Sequence, residues 1–70
     1  MALVRIFLMY PAGIGKTWHM SEDGREGESF PDEQMAITAA RTRAKLLKAA
    51  RREVQIRQEG ADGTWRVISD

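Results

Sequence analysis

The chain predicts an α+β domain in two layers, with a single helix packed on a four-stranded, mainly antiparallel sheet in the order β-β-α-β-β. Three observations carry this prediction. One long stretch, about residues 32–51, is dense in helix formers and places apolar side chains at helical spacing. The segments on either side of it alternate at period two. Each of those segments is split by a glycine-bearing turn, as two hairpins require.

The first strand is read over residues 3–10. Val4, Ile6, Leu8 and Tyr10 fall on one side, and Leu3, Arg5, Phe7 and Met9 on the other. Two nearly apolar faces suit a strand that is covered by a helix on one side and partly covered on the other. Pro11 to Gly15 breaks the pattern, and alternation resumes over Lys16 to Glu22, with Trp18 and Met20 opposed to Thr17, His19 and Ser21. Asp23-Gly24 opens a polar turn that runs to Ser29.

The helix follows. Asp32 is the expected N-cap, Glu33 suits the positive end of the helix dipole, and Phe30 packs back over the first turn. At 100° per residue, Ala36, Ala40, Ala44 and Leu47 form a sheet-facing stripe flanked by Ile37, Ala39 and Ala50. Arg43 lies at the edge of that stripe, where its stem runs along the sheet and its charge reaches the rim. A helix over about 32–51 is ~30 Å long, enough to cross a small sheet. Val54 to Glu59 and Thr64 to Ser69 supply the last two strands, joined by a turn in which Gly60 and Gly63 take positive φ. Because one helix covers one face, Phe7, Met9 or Ile68 on the other face would give the protein a reason to dimerise.

Seventy residues make a single domain, 1–70, with a small core. The absence of cysteine excludes disulfides and thiolate metal sites, and the lone histidine argues against zinc. No metal and no cofactor is expected. The apolar run "LVRIFLMY" carries Arg5 and is too short for a spanning helix, which needs ~20 apolar residues, so no membrane association and a cytoplasmic location are expected.

The stretch "PAGIGKT" ends like a phosphate-binding loop. Gly15-Lys16-Thr17 fits that motif, but Tyr10 stands where its first glycine belongs. The segment after Lys16 also alternates like a strand, whereas the motif must open a helix. It is read as a hairpin connector, and no nucleotide is expected.

The formal net charge is only +1, yet the charges are divided. Glu22 to Glu33 holds six acidic residues and one arginine, and Arg41 to Arg57 holds seven basic residues and one glutamate. On the predicted helix, Arg41, Lys45, Lys48 and Arg52 form a row spaced 4, 3 and 4 apart, with Arg51 on its flank. Such a row suits either the phosphates of a nucleic acid or an acidic protein surface, and the ordinary reading is a solvated helix face. The acidic stretch of a second copy would also complement it.

The remaining features have plain readings. His19 faces solvent or a partner and has no sequence-marked catalytic companion, with Ser21 and Glu22 too local to serve. Glu26 and Glu28 lie in a solvated turn. Trp18 and Trp65 occupy matching places in the two hairpins and are read first as core residues, second as stacking platforms for bases.

The chain resembles a family of small uncharacterised bacterial domains. The likeness rests on Trp18, on "SFPDEQMAITAAR" with Ser29 and Phe30 before the helix and Ala36-Ile37, Ala40-Arg41 and Ala44 inside it, and on Val54, Ile56 and Asp62-Gly63 before Trp65. It covers about residues 4–67. The chain departs from the family in its longer first loop and in Pro31-Asp32 at the helix start. The resemblance implies the same β-β-α-β-β order and carries no activity and no functional residues. Nothing in the chain marks an enzyme. The expected function is that of a small binding protein acting through a homodimer or another protein partner, with nucleic-acid binding through Arg41, Lys45, Lys48 and Arg52 as the alternative.

Overall fold

The computed structural model describes residues 3–11, 15–23, 25 and 27–68. Six elements follow in chain order: β1 (Leu3–Met9), β2 (Trp18–Glu22), β3 (Glu28–Phe30), α1 (Glu33–Ala49), β4 (Glu53–Glu59) and β5 (Trp65–Val67). The α+β class and the single helix on one sheet stand, but the sheet has five strands, in the order β3-β2-β1-β4-β5, and it is mixed. The predicted four-stranded, mainly antiparallel sheet and the β-β-α-β-β order are therefore corrected.

Both corrections have one cause. The polar turn expected between Asp23 and Ser29 ends earlier, and Glu28–Phe30 pairs antiparallel with β2 through Trp18↔Phe30 and His19↔Ser29. With this third strand the chain has reversed twice before the helix begins. The crossover helix then delivers β4 parallel to β1, in the register Leu3↔Glu53 to Leu8↔Gln58. With only two strands before the helix, β4 would have run antiparallel to β1.

Cross-strand partners share a face, so the register divides the side chains. Val4, Ile6 and Leu8 of β1, Val54 and Ile56 of β4, Trp18 and Met20 of β2, and Phe30 of β3 all lie under α1. Against them the helix lays Ala36, Ala40, Ala44 and Leu47, all buried as the spacing predicts. With alanine at three of these four positions, the helix backbone approaches the sheet closely. Ile37 and Ile68 pack at the margin of this core. Ile68 is thus on the helix side, not on the open face where it would favour dimerisation.

Asp32 caps the helix as expected, its Oδ1 accepting the Met35 N–H at 2.8 Å. The other end differs from the sequence reading. Ala50 is the C-cap, and Arg51 turns to φ +63. The Arg51 N–H donates to the Lys48 carbonyl at 2.9 Å and the Arg52 N–H to the Leu47 carbonyl at 2.9 Å, the paired bonds of a Schellman stop. An arginine fills the left-handed position that glycine usually takes, so no local stop signal is visible and the predicted helix overruns to 51.

The predicted hairpins are present with small shifts. In the first connector Gly15 and Lys16 both have positive φ, and Tyr10 meets Trp18 edge-to-face at 5.2 Å across it. Ala12, Gly13 and Ile14 of that loop lie outside the described residues, as do Gly24, Glu26 and Ser69. In the second turn only Gly63 takes positive φ, while Gly60 does not. Asp62 replaces that second glycine's role by accepting the Thr64 N–H at 3.0 Å and its hydroxyl at 2.6 Å, which also holds its carboxyl below the usual value.

Candidate functional site

The register that places even-numbered β1 residues under the helix sends Arg5, Phe7 and Met9 to the opposite face. His19 and Ser21 of β2, Gln55, Arg57 and Glu59 of β4, and Trp65 and Val67 of β5 join them there. No described element covers this face. Phe7 and Trp65 meet edge-to-face across β4, with ring centroids 5.6 Å apart. Trp65 stays 44% exposed and Val67 53% exposed. Arg57 lies between the two strands, and its Nε donates to Gln55 Oε1 at 2.7 Å, which holds the guanidinium flat along the sheet. The result is an aromatic pair flanked by aliphatic and basic groups on an uncovered face.

The matching tryptophans therefore part company. Trp18 is 8% exposed and belongs to the core, whereas Trp65 lies on the open face. Their positions in the two hairpins look equivalent, but Trp18 is in phase with Leu8 through Met20, and Trp65 is in phase with Phe7 through Glu59 and Arg57. Pairing register decides between the two, and it is not written in either hairpin alone.

Of the predicted basic row, Arg41, Lys45 and Lys48 lie on α1 and are exposed. Arg52 is exposed too, but it lies past the Schellman stop, so the helical spacing that grouped it with the others does not apply. The acidic stretch is largely used within the chain. Glu22 accepts Arg43 Nε at 2.7 Å and Nη2 at 3.2 Å, bridging β2 to α1. Asp23 accepts the Arg5 N–H at 2.9 Å, Asp32 caps the helix, and Glu33 accepts the Gln58 amide. The Arg43 guanidinium holds the Glu22 carboxyl below its ordinary range, chiefly by the hydrogen bond and against a smaller cost of burial. Among the described residues of the stretch, only Glu22 is paired with a cation, whereas Asp23, Asp32 and Glu33 bond neutral donors and, like Glu28, keep an exposed negative charge that a second copy's basic row could meet.

The other sequence candidates find local roles. Lys16 borders a cleft of about 420 Å³ with Tyr10, Pro11, Trp18 and Glu33, but the residues after it form β2 and not a helix. The helix dipole that a phosphate loop exploits is therefore missing at this point in the chain. His19 Nδ1 lies 2.9 Å from Ser29 Oγ, a pairing that sequence reasoning missed because β3 was missed. It ties the edge strand to β2. Among the described residues no carboxylate hydrogen-bonds His19, so the third member that orients a nucleophile's base is not in place. Glu28 is in β3 and not in a turn, while Glu26 lies outside the described residues. No group of three or more His, Cys, Asp or Glu residues suited to a metal occurs among the described residues, and no described helix is long and apolar enough to cross a membrane.

No family model, no curated protein and no solved structure matches the chain.

Proposed function

We propose that the chain is a small non-enzymatic binding protein whose docking surface is the open face of its sheet, engaged by a second copy. The observation that carries this reading is the uncovered Phe7–Trp65 pair with Val67 beside it. Aromatic groups left outside a core this small favour burial against a partner. The same face carries Arg5 and Arg57 alongside Glu53 and Glu59, so a two-fold related copy offers carboxylates to arginines without like-charge conflict. Sedimentation equilibrium tests the proposal. A dimer should form with rising concentration up to ~1 mM, and Trp65→Ser should abolish it.

The nucleic-acid reading keeps one observation in its favour. Because Glu22, Asp23, Asp32 and Glu33 are engaged within the chain, the exposed Arg41 and Lys45 are not neutralised by them. Titration of single- and double-stranded oligonucleotides at two salt concentrations decides it. Binding at ~50 mM salt that weakens when Arg41, Lys45, Lys48 and Arg52 become glutamine supports this reading, and binding indifferent to those changes rejects it.

A further inference from the structure

We propose that the outer edge of β3, with the groove between it and α1, docks an extended peptide strand carrying a basic residue and a large apolar residue two positions apart. β3 ends the sheet, so the outer side of its backbone pairs with no other described strand. Strand addition at such an edge takes affinity from main-chain hydrogen bonds and specificity from every second side chain. Glu28 and Phe30 are the two β3 side chains directed to the helix side, since they pair with Met20 and Trp18.

Beside Phe30 lies a groove of about 270 Å³ walled by Met35, Thr38, Ala39 and Gln34 of α1. Met35 is 49% exposed along it, and Phe30 is only partly buried. The volume falls below the ~300–1,000 Å³ of sites that enclose a small molecule. It suits a single side chain delivered by a strand. A residue opposite Phe30 enters this apolar groove, and its neighbour two positions away stands opposite Glu28. The Glu28 carboxylate is exposed and makes no hydrogen bond or ion pair among the described residues, and Arg43, which lines the same cleft with Arg25, is already held by Glu22, so Glu28 favours lysine or arginine at that place.

A second copy of β3 fits less well. Antiparallel pairing of two β3 strands sets Glu28 against Phe30, against another Glu28, or against Asp32, according to register. The chain's own β5 has the matching spacing in Arg66 and Ile68, but Ile68 is already packed on its own core.

The test uses dye-labelled octapeptides with a central Lys-Thr-Leu, Glu-Thr-Leu or Lys-Thr-Ser, which set the first residue opposite Glu28 and the third opposite Phe30 when the peptide adds parallel to β3, and the reversed Leu-Thr-Lys for antiparallel addition, followed by fluorescence anisotropy at low salt. Lys-Thr-Leu or, in antiparallel addition, Leu-Thr-Lys should bind, and Glu-Thr-Leu and Lys-Thr-Ser should bind about fivefold more weakly than the better of the two. Glu28→Lys should reverse the charge preference, so that glutamate in place of the peptide's lysine binds better, and Ala39→Phe, which fills the groove, should weaken all binding. Trp65→Ser should change nothing, which separates this site from the open face. Far-UV circular dichroism checks each variant; if Ala39→Phe fails to fold, the preference reversal in Glu28→Lys decides alone. No peptide binding at ~1 mM protein, equal binding of all four, or an unreversed preference overturns the proposal. Loss of a homodimer in Glu28→Lys without peptide binding assigns the edge to a second copy and overturns it as well.

Discussion

Replacing each tryptophan by alanine in turn should separate the two faces of the sheet. A tryptophan buries about 150–250 Å² when fully enclosed, which at ~25 cal/mol per Å² is worth about 4–6 kcal/mol as an upper bound. Trp18 is 8% exposed and sits under the helix, so Trp18→Ala loses nearly all of this area and leaves a cavity between the layers. The expected cost is about 3–5 kcal/mol. A chain of 70 residues holds only about 4–10 kcal/mol in total, so this variant should be largely unfolded or close to it. Trp65 is 44% exposed and borders solvent, so its removal forfeits roughly half the area and opens no enclosed void. With the edge-to-face contact to Phe7 included, Trp65→Ala should cost about 2–3 kcal/mol. Urea titration followed by far-UV circular dichroism, at a concentration where the protein is monomeric, measures both. Trp18→Ala should be the costlier by about 1–2 kcal/mol. Equal costs, or a costlier Trp65→Ala, would refute the assignment of the two residues to opposite faces.

Three further outcomes follow from the geometry. Gly27 passes so close to β2 that a Cβ there would collide with the Met20 carbonyl, so Gly27→Ala should detach β3 and speed amide exchange at Glu28–Phe30 while β1 and β4 stay protected. Arg51→Gly relieves a side chain at φ +63 and should raise stability by up to about 1 kcal/mol in thermal unfolding, whereas Arg51→Val should lower it. Glu22 has its folded pKa depressed by Arg43, so its contribution is complete above its ordinary 4.5 and is lost as pH falls through the lower folded value. Acid titration of stability should therefore be shallower in Glu22→Gln than in the parent, and an unchanged acid limb would count against the bridge.

Local signals in the sequence reached the helix start, its buried stripe and both hairpins. Asp32, the alanine spacing from Ala36 to Ala44 and the Asp62-Gly63 turn each act within a few residues, so they are visible without the fold. What escaped depends on partners far along the chain. Glu28–Phe30 has too few residues to alternate, and it becomes a strand because Gly27 allows close approach to β2 and Phe30 finds the core beside Trp18. Missing it reversed the direction of β4 relative to β1. The helix stop at Arg51 escaped because an arginine takes the left-handed position where glycine is the usual signal. The candidate site divided in the same way. Arg41, Lys45 and Lys48 were legible as a helix row, while the Phe7–Trp65 pair required knowing that β4 lies between β1 and β5.

Self-association through the open sheet face is read out by sedimentation equilibrium between ~10 μM and ~1 mM. A concentration-dependent dimer should form that is lost in Trp65→Ser and kept when Arg41 and Lys45 are both changed to glutamine. A protein that stays monomeric throughout that range, or a dimer indifferent to Trp65→Ser, would contradict it.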